Sequence, residues 1–175
     1  MHPGDRCKHV LNEESSPSSF TSKSKKYDVF LSFAGADTRL EFTDHLYNAF
    51  IRRGIKCFKD DVDLPKGEDL SYLFQEIHDS LCAVLVISEN YANSKWCLKE
   101  LAEILESREK LGLKVFPVFY KVDPSDVRHQ RGSFGVALAN NAKSFENRED
   151  NNKVQEWREA LTQVSKLIGW DTRGR

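Results

Sequence analysis

The sequence predicts an α/β protein, a parallel sheet wound on both sides by helices, and three observations carry that expectation. Four near-continuous apolar runs recur, at 27 to 33 (YDVFLSF), 55 to 59 (IKCFK), 82 to 88 (CAVLVIS) and 115 to 120 (VFPVFY), as strands buried on both faces require. Between them lie stretches whose apolar residues repeat at helical spacing. The first run passes through Ala34, Gly35 and Ala36 into Asp37-Thr38-x-x-Glu41, the spacing of a capping box where a helix begins.

The elements follow in order. After the first strand and its tight turn, Phe42, Leu46, Ala49 and Phe50 share one helical face. The second strand leads into FKDDVDLPKGEDLSYLF, a loop of acids, Pro and Gly that ends with Glu68 and Asp69 in a first helical turn, where carboxylates suit the macrodipole. Leu70, Leu73, Phe74 and Ile77 then form a second helical face. The third strand precedes ENYANSKWCLKELAEI, in which Asn93 or Ser94 is the N-cap and Cys97, Leu101, Ile104 and Leu105 form the stripe. Pro117 in the fourth strand removes one ladder donor. Beyond it the chain reads as loop-rich, with DPSDVRHQRGSF a Pro turn and a basic polar segment, and a final helix carries Val154, Trp157, Leu161, Val164 and Ile168. A fifth strand is expected near 140 to 152. Right-handed crossovers turn this βαβαβαβ series into a doubly wound sheet.

Composition bounds the function. The 175 residues suffice for one domain with a core, and 26 basic against 27 acidic residues leave no net field for nucleic acid or an anionic membrane. The apolar runs fall far below the roughly 20 residues of a membrane helix, so a soluble chain is expected. Residues 1 to 26 are rich in Ser, Lys and Pro, lack an apolar signal core and read as a flexible tail. Cys7, Cys57, Cys82 and Cys97 show no C-x-x-C pair, and three of them sit in apolar patterns, so they read as reduced core thiols of an intracellular protein.

Trp96 and Glu100 lie off the apolar stripe of their helix and four residues apart, hence on one face at the border between core and solvent. An aromatic beside a carboxylate can stack a planar group and stabilise positive charge developing next to it. The same pair also reads as a half-exposed Trp over a sheet edge with a solvated Glu. No P-loop, no complete dinucleotide fingerprint and no G-x-S-x-G nucleophile motif is present. The acids after the second strand lack calcium-loop register and stand in the wrong place for a phosphorelay receiver. His2, His9, His45, His78 and His129 have no ligand spacing, so no metal is expected. Arg128 and Arg131 are the one hint of an anion site, against the reading as a solvated loop.

YDVFLSF.G.DTR, F.DHLY.A...RGI..F.DD..L..G, VISENYA.S.WCL.EL and V.PVFY.VDPSDVR.Q.GSFG.A together resemble the Toll/interleukin receptor (TIR) domain at the N-terminus of plant intracellular immune receptors. The resemblance implies a flavodoxin-like three-layer fold with a five-stranded parallel sheet of order 2-1-3-4-5. It sets residues 1–25 as a flexible tail, 26–170 as the TIR domain and 171–175 as the start of a linker to a nucleotide-binding domain.

Many plant members hydrolyse NAD and release nicotinamide, so the resemblance implies Glu100 as the catalytic residue and NAD or NADP as substrate, with no cofactor required. It makes Phe33, Ala34, Gly35, Ala36, Asp37, Thr38, Arg39, Gly67 and Trp96 substrate-binding. Family assemblies place a Ser-His pair on the first helix at a self-association face; Asp44-His45 stands here instead, and its added charge is expected to weaken a symmetric contact or make it pH-sensitive. Where most plant relatives carry Arg and Glu, this chain has Ala34 and Ala36, so weakened cleavage or association is expected. Partners implied are further copies of the chain and downstream immune signalling proteins, with no membrane or nucleic acid, in the cytoplasm and the nucleus. The rival from the same resemblance is a TIR interaction module without turnover; a flavodoxin-like FMN binder is a third reading.

Overall fold

A computed structural model of the chain describes residues 24–38, 41–59, 70–144 and 148–174. A five-stranded sheet runs through its centre in the order β2-β1-β3-β4-β5, with β1 at Tyr27–Phe33, β2 at Cys57–Lys59, β3 at Ser80–Ile87, β4 at Lys114–Phe119 and β5 at Trp170–Asp171. Every pairing is parallel, as the continuous apolar runs require. The helices are α1 (Gly35–Thr38), α2 (Phe42–Arg52), α3 (Leu70–His78), α4 (Lys95–Leu111), α5 (Pro124–His129), α6 (Ser133–Lys143) and α7 (Arg148–Val164), with a 3₁₀ turn at Tyr91–Asn93.

Strand alternation divides the core into two layers. Phe30, Leu85, Ile87 and Phe119 face α3, α4, α6 and α7, where Ile77, Leu101, Ile104, Leu138 and Leu161 are buried against them. Leu31, Phe33, Val84, Val86 and Val118 face the other way, onto Phe42, Leu46 and Phe50 of α2. Beside α2 this second face opens as a groove of about 790 Å³ that reaches Phe116 and Trp170.

The fifth strand does not lie at 140–152. Residues 140–143 end α6 and residues 148–152 begin α7, and the strand is the exposed pair Trp170–Asp171. Two exposed residues leave no hydropathy pattern, because tertiary contacts hold them. A Cβ at Gly169 would stand 2.3 Å from the Pro117 carbonyl oxygen, so only glycine allows this close approach. Pro117 itself pairs with Leu85, and the β5 ladder starts one residue later, at Val118, so the missing donor costs no bond there. Arg173 binds Asp123 at 2.8 Å and Asp171 at 2.7 Å, tying the new strand to the start of α5. Ile168, expected on the last helical face, lies beyond the end of α7 and is exposed.

The expected loop after β4 is two helices. Asp123 caps α5 by accepting from the Ser125 N–H at 2.8 Å, with Pro124 in the first turn. Arg128 donates to the Ser165 carbonyl at 3.2 Å, and Arg131 to Asp126 Oδ1 at 3.0 Å. Both arginines therefore brace the fold. Cys57 and Cys97 are buried and Cys82 is half-buried, all as free thiols; Cys7 lies outside the described residues.

Candidate active site

The chain crosses from β1 to β2 through α2 on one face, and from β3 to β4 through α4 on the other. The carboxyl ends of β1 and β3 therefore flank a topological switch point, where open α/β sheets leave a crevice for ligands. Phe33, Ala34, Gly35, Ala36 and Asp37 stand at the end of β1, and Asn90 through Trp96 follow β3. The structure brings the expected site residues together here, except Arg39 and Gly67, which lie outside the described residues; of Thr38 only the backbone, the last residue of α1, is described.

Ser94 caps α4, its hydroxyl accepting from the Cys97 N–H at 3.2 Å. This cap aims the first two turns of the helix at the sheet. Trp96 is half-buried against the larger core layer. Glu100, one turn on, is only 1% exposed. The border position expected for it is corrected. The first turns of α4 pack against β1, so the face beside the apolar stripe meets the Ser32 hydroxyl rather than solvent. There the Ser32 hydroxyl donates to Glu100 Oε2 at 2.5 Å, and Ser32 Oγ lies 2.9 Å from the Tyr91 hydroxyl. A buried carboxylate demands such a partner.

The capping box is also corrected. Glu41 stands in the N-cap position of α2 and makes no side-chain capping bond. Asp37 Oδ2 instead accepts from the Asn90 backbone N–H at 2.7 Å, and Oδ1 from Asn90 Nδ2 at 2.5 Å. Asn93 in turn donates to Asn90 Oδ1 at 2.6 Å. The turn after β1 is thus fastened to the loop that leads into α4. Ala34 is buried at 5% exposure whereas Ala36 is exposed.

Asp44 and His45 lie on α2. His45 is exposed, but Asp44 is not a free added charge, since Oδ1 accepts from Lys59 Nζ at 2.5 Å. The Lys59 ammonium also lies 5.8 Å from the Phe33 ring centre and 5.3 Å from that of Tyr47. One cation at the end of β2 therefore links α2 to the rim of the site.

Sequence reasoning missed Ser32, Tyr91 and Asn90. Ser32 carried a usable signal, a hydroxyl inside the apolar run Val29 to Phe33, which must find a buried acceptor. Among the described residues no cluster of three or more His, Cys, Asp or Glu side chains could hold a metal ion, and no helix is long and apolar enough to cross a membrane. What stands at the switch point is one buried carboxylate beside an aromatic ring. A TIR domain family profile matches residues 26–174.

The chain belongs to the TIR domain family. It is 52% identical over 145 residues to the disease resistance protein RPV1 of Vitis rotundifolia, covering 82% of this chain and 10% of that protein. It is 44% identical over 153 residues to the TMV resistance protein N of Nicotiana glutinosa, covering 87% of this chain and 13% of that one. The chain thus spans a small part of the length of these relatives. Among solved structures, the TIR domains of the activated Roq1 resistosome, which directly recognises the pathogen effector XopQ, share 50% identity with a TM-score of 0.75, over 85% of this chain and 89% of theirs. The observed sheet order agrees with the order that the sequence resemblance implied.

Proposed function

We propose that this TIR domain hydrolyses NAD, releasing nicotinamide, and that it signals in plant defence as a self-associating assembly. One observation carries the catalytic part: a single buried carboxylate, Glu100, stands at the switch-point crevice with Trp96 one turn before it and a hydrogen bond from Ser32. Nicotinamide leaves NAD as a neutral ring from a cationic one, so departure needs no general acid, in contrast to the two carboxylates of ordinary glycoside hydrolysis. Glu100 stabilises the ribosyl oxocarbenium ion electrostatically, in a site poor in water where a fixed charge acts most strongly. Trp96 stacks a planar ring. Phe33 and the Gly35 to Asp37 turn form the opposite wall.

Buried as it is, the Glu100 carboxylate meets substrate only after its surroundings shift. A neighbouring protomer supplies that shift in this reading, in keeping with the resistosome assembly of the Roq1 TIR domains and with the disease resistance role of RPV1 and N. The competing reading, an interaction module without turnover, draws on Ala34 and Ala36, which remove two charges from the turn that the resemblance assigns to substrate.

Incubation of concentrated protein with NAD, followed by chromatography of nicotinamide, tests the proposal. Release that rises more steeply than protein concentration and disappears in Glu100→Ala is expected. Equal, background-level release by both proteins at all concentrations would hand the chain to the interaction-module reading.

A further inference from the structure

Ser32 has one hydroxyl proton, and it goes to Glu100 Oε2. The Tyr91 hydroxyl therefore acts as the donor across its 2.9 Å contact with Ser32 Oγ. Burial, the leading cause, holds the Tyr91 phenol well above its usual pKa, so it keeps the proton it donates. Its oxygen also lies 3.3 Å from the Cys97 carbonyl in the first turn of α4, so the one phenol proton is shared between that carbonyl and Ser32 Oγ. Ser32 and Tyr91 are fully buried, and each polarises the next group toward the carboxylate.

The placement is specific. Ser32 sits in β1, paired on one side with β2 and on the other with β3, where it stands opposite Leu85. An apolar side chain on this face, among Phe30, Leu85 and Ile87, would add burial. The hydroxyl gives up that gain, and its effect is to index a carboxylate carried by a helix to the rigid centre of the sheet.

We infer that Ser32, backed by Tyr91, is a positioning residue that holds the Glu100 carboxylate in its working orientation for NAD cleavage. This inference rests on the hydrolase reading of the site. A misplacement of about 1 Å in a catalytic group lowers rates by up to about a hundredfold, and a serine donor at this distance leaves the carboxylate little freedom to swing.

The test measures kcat and KM for nicotinamide release, and the melting temperature, for the full chain and for Ser32→Ala, Ser32→Thr, Tyr91→Phe and Glu100→Ala. Ser32→Ala is expected to lower kcat roughly tenfold or more, with KM within about twofold, and to lower the melting temperature by several degrees, because the buried carboxylate loses its donor while Tyr91 keeps the Cys97 carbonyl as acceptor. Ser32→Thr keeps the donor in a strand that favours β-branching and is expected to recover most of kcat. Tyr91→Phe is expected to fall between the two. A Ser32→Ala protein with kcat within twofold of the parent overturns the inference, as does a Ser32→Thr protein that melts like the parent yet recovers none of the lost kcat. If Glu100→Ala turns over as fast as the parent, the hydrolase reading fails and the positioning role with it. If Glu100→Ala is inactive while Ser32→Ala is unimpaired, the positioning role falls alone.

Discussion

Asp37 accepts two hydrogen bonds from Asn90, from its backbone N–H at 2.7 Å and its side-chain amide at 2.5 Å, and so joins the turn after β1 to the loop before α4. A carboxylate that satisfies a backbone donor and a side-chain donor on one neighbour holds two loops as one wall. Asp37→Ala leaves the Asn90 N–H without this acceptor, at a cost of about 1 to 3 kcal/mol. For a domain of this size that is a fall of roughly 3 to 10 °C in melting temperature, checked by calorimetry. Turnover should fall as well, since Trp96 follows directly on this loop. An unchanged melt would show the pair to be incidental.

Glu100→Gln separates catalysis from folding. The amide oxygen still accepts from Ser32, and an ionised group is no longer held away from water, so the melting temperature should stay level or rise, while nicotinamide release disappears. Glu100→Ala, by contrast, empties a fully buried site and is expected to lose about 1 to 3 kcal/mol. Truncating a solvated Glu is nearly neutral, and it is burial that makes this one costly. Retained turnover in the Gln variant would remove Glu100 from the mechanism.

Ala34 and Ala36 behave differently because one is buried and the other exposed. Ala36→Glu should leave stability within about 0.5 kcal/mol. Ala34→Arg must seat a guanidinium where a methyl group is enclosed, at a cost of about 1 to 3 kcal/mol. Nicotinamide release by the double variant should exceed that of the parent at matched concentration, since a cation at this turn holds a phosphate and its partner Glu balances it. Equal rates would mark the turn as scaffold alone.

Cys57 gives a pH-dependent readout of the fold. Burial, the leading cause, pushes its thiol up from an ordinary value of 9.0 to about 12. The thiolate is the reactive form, so iodoacetamide at pH 8 should spare Cys57 in the native protein and label it after unfolding, as mass spectrometry would record. The unfolded chain releases the thiol proton at lower pH than the folded one. Stability from this group is therefore complete below about pH 9 and declines as pH rises toward 12. Rapid native labelling at pH 8 would show that β2 opens readily.

Most of the sheet was legible from the chain itself. β1, β3 and β4 are long and apolar because both of their faces are covered, and that pattern needs no partner to be read. The stripe of Cys97, Leu101, Ile104 and Leu105 marked α4 for the same reason, and all four are buried. Trp96 and Glu100 were visible as a pair because helical spacing fixes which side chains share a face.

Other features had no local cause. β5 is two exposed residues held by Gly169 beneath Pro117 and by Arg173 between two aspartates, contacts across 52 and 50 positions of sequence. Thr38 and Glu41 have capping-box spacing, yet Glu41 makes no capping bond, and Asn90, 53 residues from Asp37, offers the Asp37 carboxylate two donors. Glu100 read as a border acid because periodicity counts only apolar residues, and a buried carboxylate with its own donor has the same sequence signature as a half-solvated one. The sequence determined the first four strands, the helical faces of α2, α3, α4 and α7, and the family. The tertiary structure alone decided which polar side chains meet, since hydrogen-bond partners far apart in the chain are chosen by packing.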